Sequence, residues 1–464
     1  MNDYKSIKDL YNNSWKLFIQ PPKCYYNDYD ILDQIECQHS VLSLEKFQIL
    51  NKFKHKINCC LYLPDQYSDQ HQGKEERSST RLISNSNPRL NSQPESSYLK
   101  STFKNIKRFG NSIPCIIYLH SQGGNVIEGL FISKVCAKFN VALCTFDFAA
   151  CGKSEGEFIS LGWNEQDDLD ILINHLQCEY AIGKIGLWGR SMGAVTSILY
   201  AERNAFNIEC LVVDSPFLHL EKSVINLAKN KMKIAPFLSS MMLKLINSKI
   251  VERIGFNVLD IRIDSIVKSI DLPMILIGSK NDDLVAFEDF EYIYKHYGSR
   301  KIKMVLTDKC HNEFRENFVT AEALAYMLAH ILETKDVTKE EIIKILEIEN
   351  FATASITSNT RDPSFDIIQD NFDSSKLCLD LKNAIGNMQM SAKHRNHSVD
   401  PVMPKGVKEV VEMERRLSRA VDDQVAFMKD ALRSNHLATI HVPESEKNVR
   451  MYQQHKSQAS YENF

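Results

Sequence analysis

The sequence predicts an α/β protein with a mostly parallel central sheet covered by helices on both faces, and three observations carry that expectation. From Pro114 onward, short apolar runs alternate with segments of ordinary helical length, the pattern of strands buried on both sides by crossover helices. Ahead of them, residues 41–53 and 56–63 alternate apolar and polar, as two antiparallel strands at the start of such a sheet would. Between them in importance stands residues 183–194, an apolar run that enters the turn Gly189-Arg190-Ser191-Met192-Gly193 and leaves as a helix.

Taken in order, residues 1–40 read as an N-terminal arm, extended around Pro21-Pro22 because paired prolines fix the backbone near polyproline geometry. Residues 68–111 are rich in Ser, Asn, Gln and charge and lack the apolar content to hold a core, so they are expected to be a disordered insertion. The α/β domain, 41–335, then runs through strands at 114–120, 141–147, 184–188 and 209–214, with helices at 126–139, 165–178 and 192–203. Residues 218–271 interrupt the rhythm with a Met-rich helical stretch, read either as a cap over the site or as a helix on the sheet edge. The sheet resumes at 272–278 and 301–306, with helices at 288–297 and 320–334. A C-terminal extension, 336–464, begins with the capping box Thr338-Lys339-Glu340-Glu341 and a short helix at 342–346. It continues through a polar linker to an amphipathic helix bearing Val407, Val410, Val411, Leu417, Val421, Val425, Met428 and Leu432, whose apolar stripe docks on the domain or on a partner.

Composition narrows the function. The chain carries 56 basic and 59 acidic side chains, a formal net charge of −3, which leaves no positive surplus for a nucleic-acid backbone. No nucleic-acid partner is expected. The polar start at Met1-Asn2-Asp3-Tyr4-Lys5 has no apolar leader, and no apolar run reaches the length of a membrane span. A cytoplasmic protein follows, with peripheral membrane contact left open. The 12 cysteines lack C-x-x-C pairs, and Cys115, Cys144 and Cys210 sit inside strand-like runs, so buried reduced thiols are expected rather than disulfides or a metal site. No sequence motif calls for a cofactor.

The turn at Ser191 supplies what a serine nucleophile needs: a hydroxyl lifted clear of the backbone, with free amides at the start of a helix. Such a serine also needs an imidazole base and a carboxylate, in that fold following in the order Ser, acid, His. His311 lies in a loop after the last strand, whereas His296 and His330 fall within helical patterns. Asp282 is the preferred acid and Asp283 the alternative, because both follow the strand ending at Gly278 and precede Val285. Asp214 also follows a strand but reads as a brace for the turn Asp214-Ser215-Pro216-Phe217. The oxyanion donors are expected to be the amide of Met192 and, from the loop after the first parallel strand, the amide of Gln122; His120 reads as structural.

These stretches, with Thr145-Phe146-Asp147-Phe148, Gly152-Lys153-Ser154-Glu155-Gly156 and Leu161-Gly162-Trp163-Asn164-Glu165, resemble the α/β-hydrolase superfamily over about residues 15–335. They are especially similar to the serine aminopeptidase-like intracellular hydrolases of plants and protists. The resemblance implies an α/β-hydrolase fold with Ser191, Asp282 or Asp283, and His311 as its catalytic set. It departs from the family pattern at Ser121, where a glycine is usual, and at Ala150 and Cys151, where Gly and Ser are usual. The expected activity is that of a serine hydrolase forming an acyl-enzyme from a carboxylic ester or thioester, with an amidase or peptidase, or a catalytically silent scaffold, as the alternatives.

Overall fold

The computed structural model describes residues 15–68, 112–232 and 236–357. The chain divides into two compact units, 1–382 and 383–464, and every described residue lies in the first. Apart from Ser68, the expected insertion at 68–111 lies outside the described residues, as do the linker beyond 357 and the amphipathic helix around 407–432.

Nine strands form one sheet: β1 Gln34–Cys37, β2 Ser40–Leu50, β3 Lys56–Pro64, β4 Ile113–Leu119, β5 Ala142–Phe146, β6 Ile182–Arg190, β7 Ile208–Asp214, β8 Met274–Ser279 and β9 Ile302–Thr307. Their order is β1-β2-β3-β5-β4-β6-β7-β8-β9. The pairs β1/β2, β2/β3 and β3/β5 are antiparallel, and every later pair is parallel. Besides four-residue helices at Lys16–Ile19, Asp65–Ser68 and Ile263–Ile266, the described α-helices are α1 Ser133–Lys138, α2 Glu165–Tyr180, α3 Met192–Arg203, α4 Leu220–Met232, α5 Pro236–Ile254, α6 Phe287–His296, α7 Asn317–Ile331 and α8 Lys339–Thr357.

The apolar runs read as parallel strands because successive residues feed opposite cores. In β4, Cys115, Ile117 and Leu119 join the core beneath α2, α3 and α6, while Ile116 and Tyr118 join the core beneath α1, α7 and α8. The first of these cores takes Leu169 and Leu172 from α2, Val195 and Ile198 from α3, and Phe290 from α6. The second takes Val135 from α1, Leu324 and Leu328 from α7, and Ile342 from α8. Leu220 of α4 and Ile250 of α5 belong to the first core, so these helices of the interrupting segment are packed into the domain.

Three elements differ from the sequence expectation. The four residues of β1 fall in the stretch assigned to the arm, and only Ile35 among them is buried, too little apolar signal to read as a strand. The expected helix at 126–139 is a 3-10 segment, Val126–Ile132, followed by α1. Asn125 Oδ1 accepts from the Ile127 amide at 2.9 Å, and Gly129 lies so close to Tyr118 and Thr145 that a side chain there would overlap them. Beyond Thr338, whose hydroxyl accepts from the Glu341 amide at 3.3 Å, α8 runs well past the expected 342–346.

Among the described glycines, the tightest approach is at Gly193. A Cβ there would lie within the van der Waals envelope of the Leu119 carbonyl, and one at Gly189 would strike the Gly193 carbonyl. Because backbone rather than a flexible side chain is met, Gly193→Ala is expected to destabilise the protein by about 3 kcal/mol or more, read as a lowered midpoint in urea unfolding. A midpoint equal to wild type would contradict this packing.

Candidate active site

β6 lies between β4 and β7 in the sheet, and the chain leaves its carboxyl end through Ser191 into α3. Ser191 holds φ 51° and ψ −112°, a left-handed conformation that a side chain with a Cβ adopts at a cost of about 1–3 kcal/mol. The turn is over-determined around it: the Ser191 amide donates to the Asp214 carbonyl at 2.8 Å, and its own carbonyl accepts from Val195 at 3.0 Å. Gly189 and Gly193 let strand and helix close on each other, and Ser191 between them stays partly accessible.

His311 follows β9, and its Nε2 lies 2.9 Å from Ser191 Oγ. On the other side of the ring, Nδ1 lies 2.9 Å from Asp282 Oδ2 and 3.1 Å from Oδ1. The Asp282 side chain is 0% exposed and that of His311 is 5% exposed. Burial alone would raise the Asp282 carboxyl, but attraction to His311 and hydrogen bonds from His311 and from the amides of Val285 and Leu284 outweigh it and hold the group below its ordinary value. Those amides reach Oδ1 at 2.8 Å and 2.9 Å. An ionised Asp282 fixes the proton of His311 on Nδ1, which leaves Nε2 as the acceptor facing the serine hydroxyl.

The loop after β4 runs beside this turn, because β4 and β6 are parallel and Leu119 is in register with Gly189. His120 is committed to structure: Nε2 accepts from the Phe148 amide at 3.0 Å, which leaves Nδ1–H to donate to the Ser121 carbonyl at 2.7 Å. Ser121 donates its hydroxyl to Glu128 Oε2 at 2.8 Å and its amide to the same carboxylate. The serine thereby ties down the loop that presents Gln122. The N-terminal arm reaches this loop as well: Gln122 Nε2 donates to the Phe18 carbonyl at 3.1 Å and Asn125 Nδ2 to the Cys24 carbonyl at 3.1 Å. Met192 is the first residue of α3, so its amide belongs to the first helical turn, where no intrahelical acceptor exists.

The remaining polar residues at strand ends have other duties. Asp147 is fully buried and accepts from Tyr26 Oη at 2.9 Å, the Val126 amide at 2.8 Å and the Lys153 amide at 2.8 Å, so it fastens the arm to two loops. In the following turn Ala150 takes φ 66°, accepting the strain that a glycine would avoid, and Cys151 is buried, which pushes its thiol well up. Asp214 carboxylate oxygens accept from Arg315 rather than from His311. Asp282, not Asp283, meets the imidazole. His296 and His330 bond back to the carbonyls of Tyr292 and Tyr326 within their helices. Among the described residues, no group of three or more His, Cys, Asp or Glu side chains is placed to hold a metal ion, no cysteine is in a disulfide, and no helix is long and apolar enough to cross a membrane.

Arg190 and Arg315 stand in the site with no motif in the sequence to mark them. Their signal was positional: Arg190 immediately precedes Ser191, and Arg315 lies four residues after His311, so each buried cation flanks a residue of the serine–imidazole pair.

Residues 131–255 match the family described as serine aminopeptidase, S33, a span that includes the turn at Ser191 and ends before Asp282 and His311. The Bacillus subtilis protein YqkD, itself uncharacterised, is 25% identical over 186 residues; the match takes in 39% of this chain and only 59% of that relative's length. Among solved structures, the Pyrococcus furiosus esterase Pf2001 is 20% identical, with 63% of this chain and 89% of that one covered at a TM-score of 0.42. Est1E from Butyrivibrio proteoclasticus, solved with ferulic acid bound, is 16% identical, with 61% and 98% covered at a TM-score of 0.40.

The environment of Asp282 sets a pH dependence. Its folded pKa lies below the ordinary value of 3.8, so the stability it contributes is complete above that value and is lost as pH falls through the lower, folded value. Asp282→Asn is therefore expected to unfold more easily than wild type at neutral pH, by roughly 1–3 kcal/mol, with the gap closing below about pH 4. Urea midpoints measured between pH 3 and pH 8 check this, and a gap independent of pH would refute it.

Proposed function

We propose that this chain, whose fold is that of the α/β-hydrolase superfamily, is a serine hydrolase that cleaves carboxylic esters or thioesters through an acyl-enzyme on Ser191. The observation that carries the reading is the unbroken line from Asp282 through Nδ1 and Nε2 of His311 to Ser191 Oγ, with contacts of 2.9 Å on both sides of the ring. In acylation, Oγ attacks the carbonyl carbon while His311 Nε2 takes the hydroxyl proton. Negative charge gathers on the carbonyl oxygen, where the amides of Met192 and Gln122 are assigned as donors. Collapse expels the alcohol or thiol, which leaves with the proton from Nε2. Water then gives a proton to the same nitrogen, attacks the acyl carbon and releases the acid, and the proton returns to Ser191.

The preference for ester or thioester over a peptide amino terminus rests on the carboxylates at these strand ends. Asp282 is committed to His311 and Asp214 to Arg315, so neither is available to grip a substrate ammonium.

The test is labelling with a fluorophosphonate probe, followed by hydrolysis of p-nitrophenyl butyrate and of an aminoacyl anilide. Wild type is expected to label and to hydrolyse the ester. Ser191→Ala and His311→Ala are expected to lose labelling and at least about 10⁴-fold in kcat. A folded wild type that does not label sinks the serine-hydrolase reading, and faster cleavage of the anilide than of the ester moves it to the amidase alternative.

A further inference from the structure

We infer that Arg315, anchored on Asp214, and Arg190, beside the serine, form a clamp that positions His311 against Ser191, and that this clamp acts on the rate of attack rather than on substrate binding. The inference rests on the proposed role of Ser191 and His311. The two residues come from loops after β6 and β9, with β7 and β8 lying between those strands, so no backbone ladder joins them. Something else must set their separation.

Asp214 ends β7 and reaches both sides. Its carbonyl accepts from the Ser191 amide at 2.8 Å, while its carboxylate accepts from Arg315 Nη2 at 2.8 Å and from Nε at 3.0 Å and 3.1 Å. Arg315 then spends its other donors on the loop of the base: Nη1 reaches the carbonyls of Cys310 at 2.9 Å and Glu313 at 3.3 Å, and Nη2 reaches Ser215 Oγ at 3.0 Å and the His311 carbonyl at 3.3 Å. Arg190, next to the serine, donates Nη2 to the same His311 carbonyl at 3.0 Å and to that of Glu313 at 2.9 Å. The carbonyl of His311 is thus held by guanidinium groups arriving from the nucleophile's strand and from its own loop.

The chemistry fits a positioning role. The side chains of Arg315 and Asp214 are 5% and 3% exposed, and a buried ion pair gives little net stability because desolvation offsets the attraction. What it provides is geometry: a planar guanidinium has donors in fixed directions, which a lysine ammonium cannot reproduce. A loop of irregular backbone between β9 and α7 needs such fixed partners if His311 Nε2 is to stay within hydrogen-bond reach of Ser191.

The protein carrying Arg315→Lys, Asp214→Asn, or both, is compared with wild type by fluorophosphonate labelling kinetics and p-nitrophenyl butyrate hydrolysis. Labelled sites are titrated, so that rates are expressed per active site. Arg315→Lys is expected to lower the labelling rate constant and kcat per titrated site by about a hundredfold, with KM within about twofold. The double variant should be little worse than either single one, because both break the same link. A residue that merely stabilises the fold would reduce the number of titrated sites and leave the rate per site alone. If Arg315→Lys does not fold, Arg190→Lys, which leaves the Asp214–Arg315 pair intact, is measured in the same way and is expected to show the same loss in kcat. Wild-type rates per site in the folded variant, or multiplied losses in the double variant, overturn the clamp. A wild type that neither labels nor hydrolyses the ester fails the underlying reading instead, so the two failures are distinguishable.

Discussion

The structure depends on one steric constraint, the closeness with which α3 and β6 meet around Ser191. Gly189 faces the Gly193 carbonyl, and Gly193 faces the carbonyls of Leu119 and His120, so neither position has room for a Cβ. That approach forces Ser191 into φ 51° and brings the first turn of α3 against the loop after β4. A hydroxyl, the amides of a helix start and a neighbouring loop are thereby gathered at the carboxyl ends of parallel strands, where α/β sheets open a crevice. The strain is sustained because sheet and helix on either side are fully formed.

The loops of the domain are held by buried carboxyl groups as well as by regular structure. Asp147 draws in Tyr26 and the amides of Val126 and Lys153; Glu165 accepts from Ser160 and Gly162; Asp168 accepts from Asn51 and Ala149. Each carboxylate removes several backbone or side-chain donors from the count of groups that burial would leave unpaired. The same logic extends to Asp282 beside His311 and Asp214 beside Arg315. Irregular segments can therefore carry precise geometry, because their polar groups have well-defined partners. The N-terminal arm is part of this scheme, through Tyr26 on Asp147 and the Phe18 carbonyl on Gln122.

Much of this was legible in the chain itself. Two-sided apolar runs identified the parallel strands, and α3 begins and ends where its sequence pattern does, since the glycine turn opens it and the apolar face is unbroken through Ala201. The elbow could be read because its requirements are local: a strand, two glycines around a serine, a helix. His311 stood out from His296 and His330 because it lay in a loop after the last strand while they fell within helical patterns. Where signals were weak, the reading stopped short. β1 has one buried apolar residue, and 126–132 takes 3-10 geometry under crowding from Tyr118 and Thr145, which lie elsewhere in sequence.

The sequence by itself thus determined the layered α/β architecture, the turn at Ser191 and the shortlist of partners, because periodicity and local steric demands are written in neighbouring residues. Tertiary structure alone chose between Asp282 and Asp283, which share a loop and differ only in which carboxylate the packing directs toward the imidazole. It alone brought Arg190, Asp214 and Arg315 together, since charges far apart in the chain become partners only when strand order places their loops at one end of the sheet. Distance in space, not pattern in sequence, decides which buried charges meet.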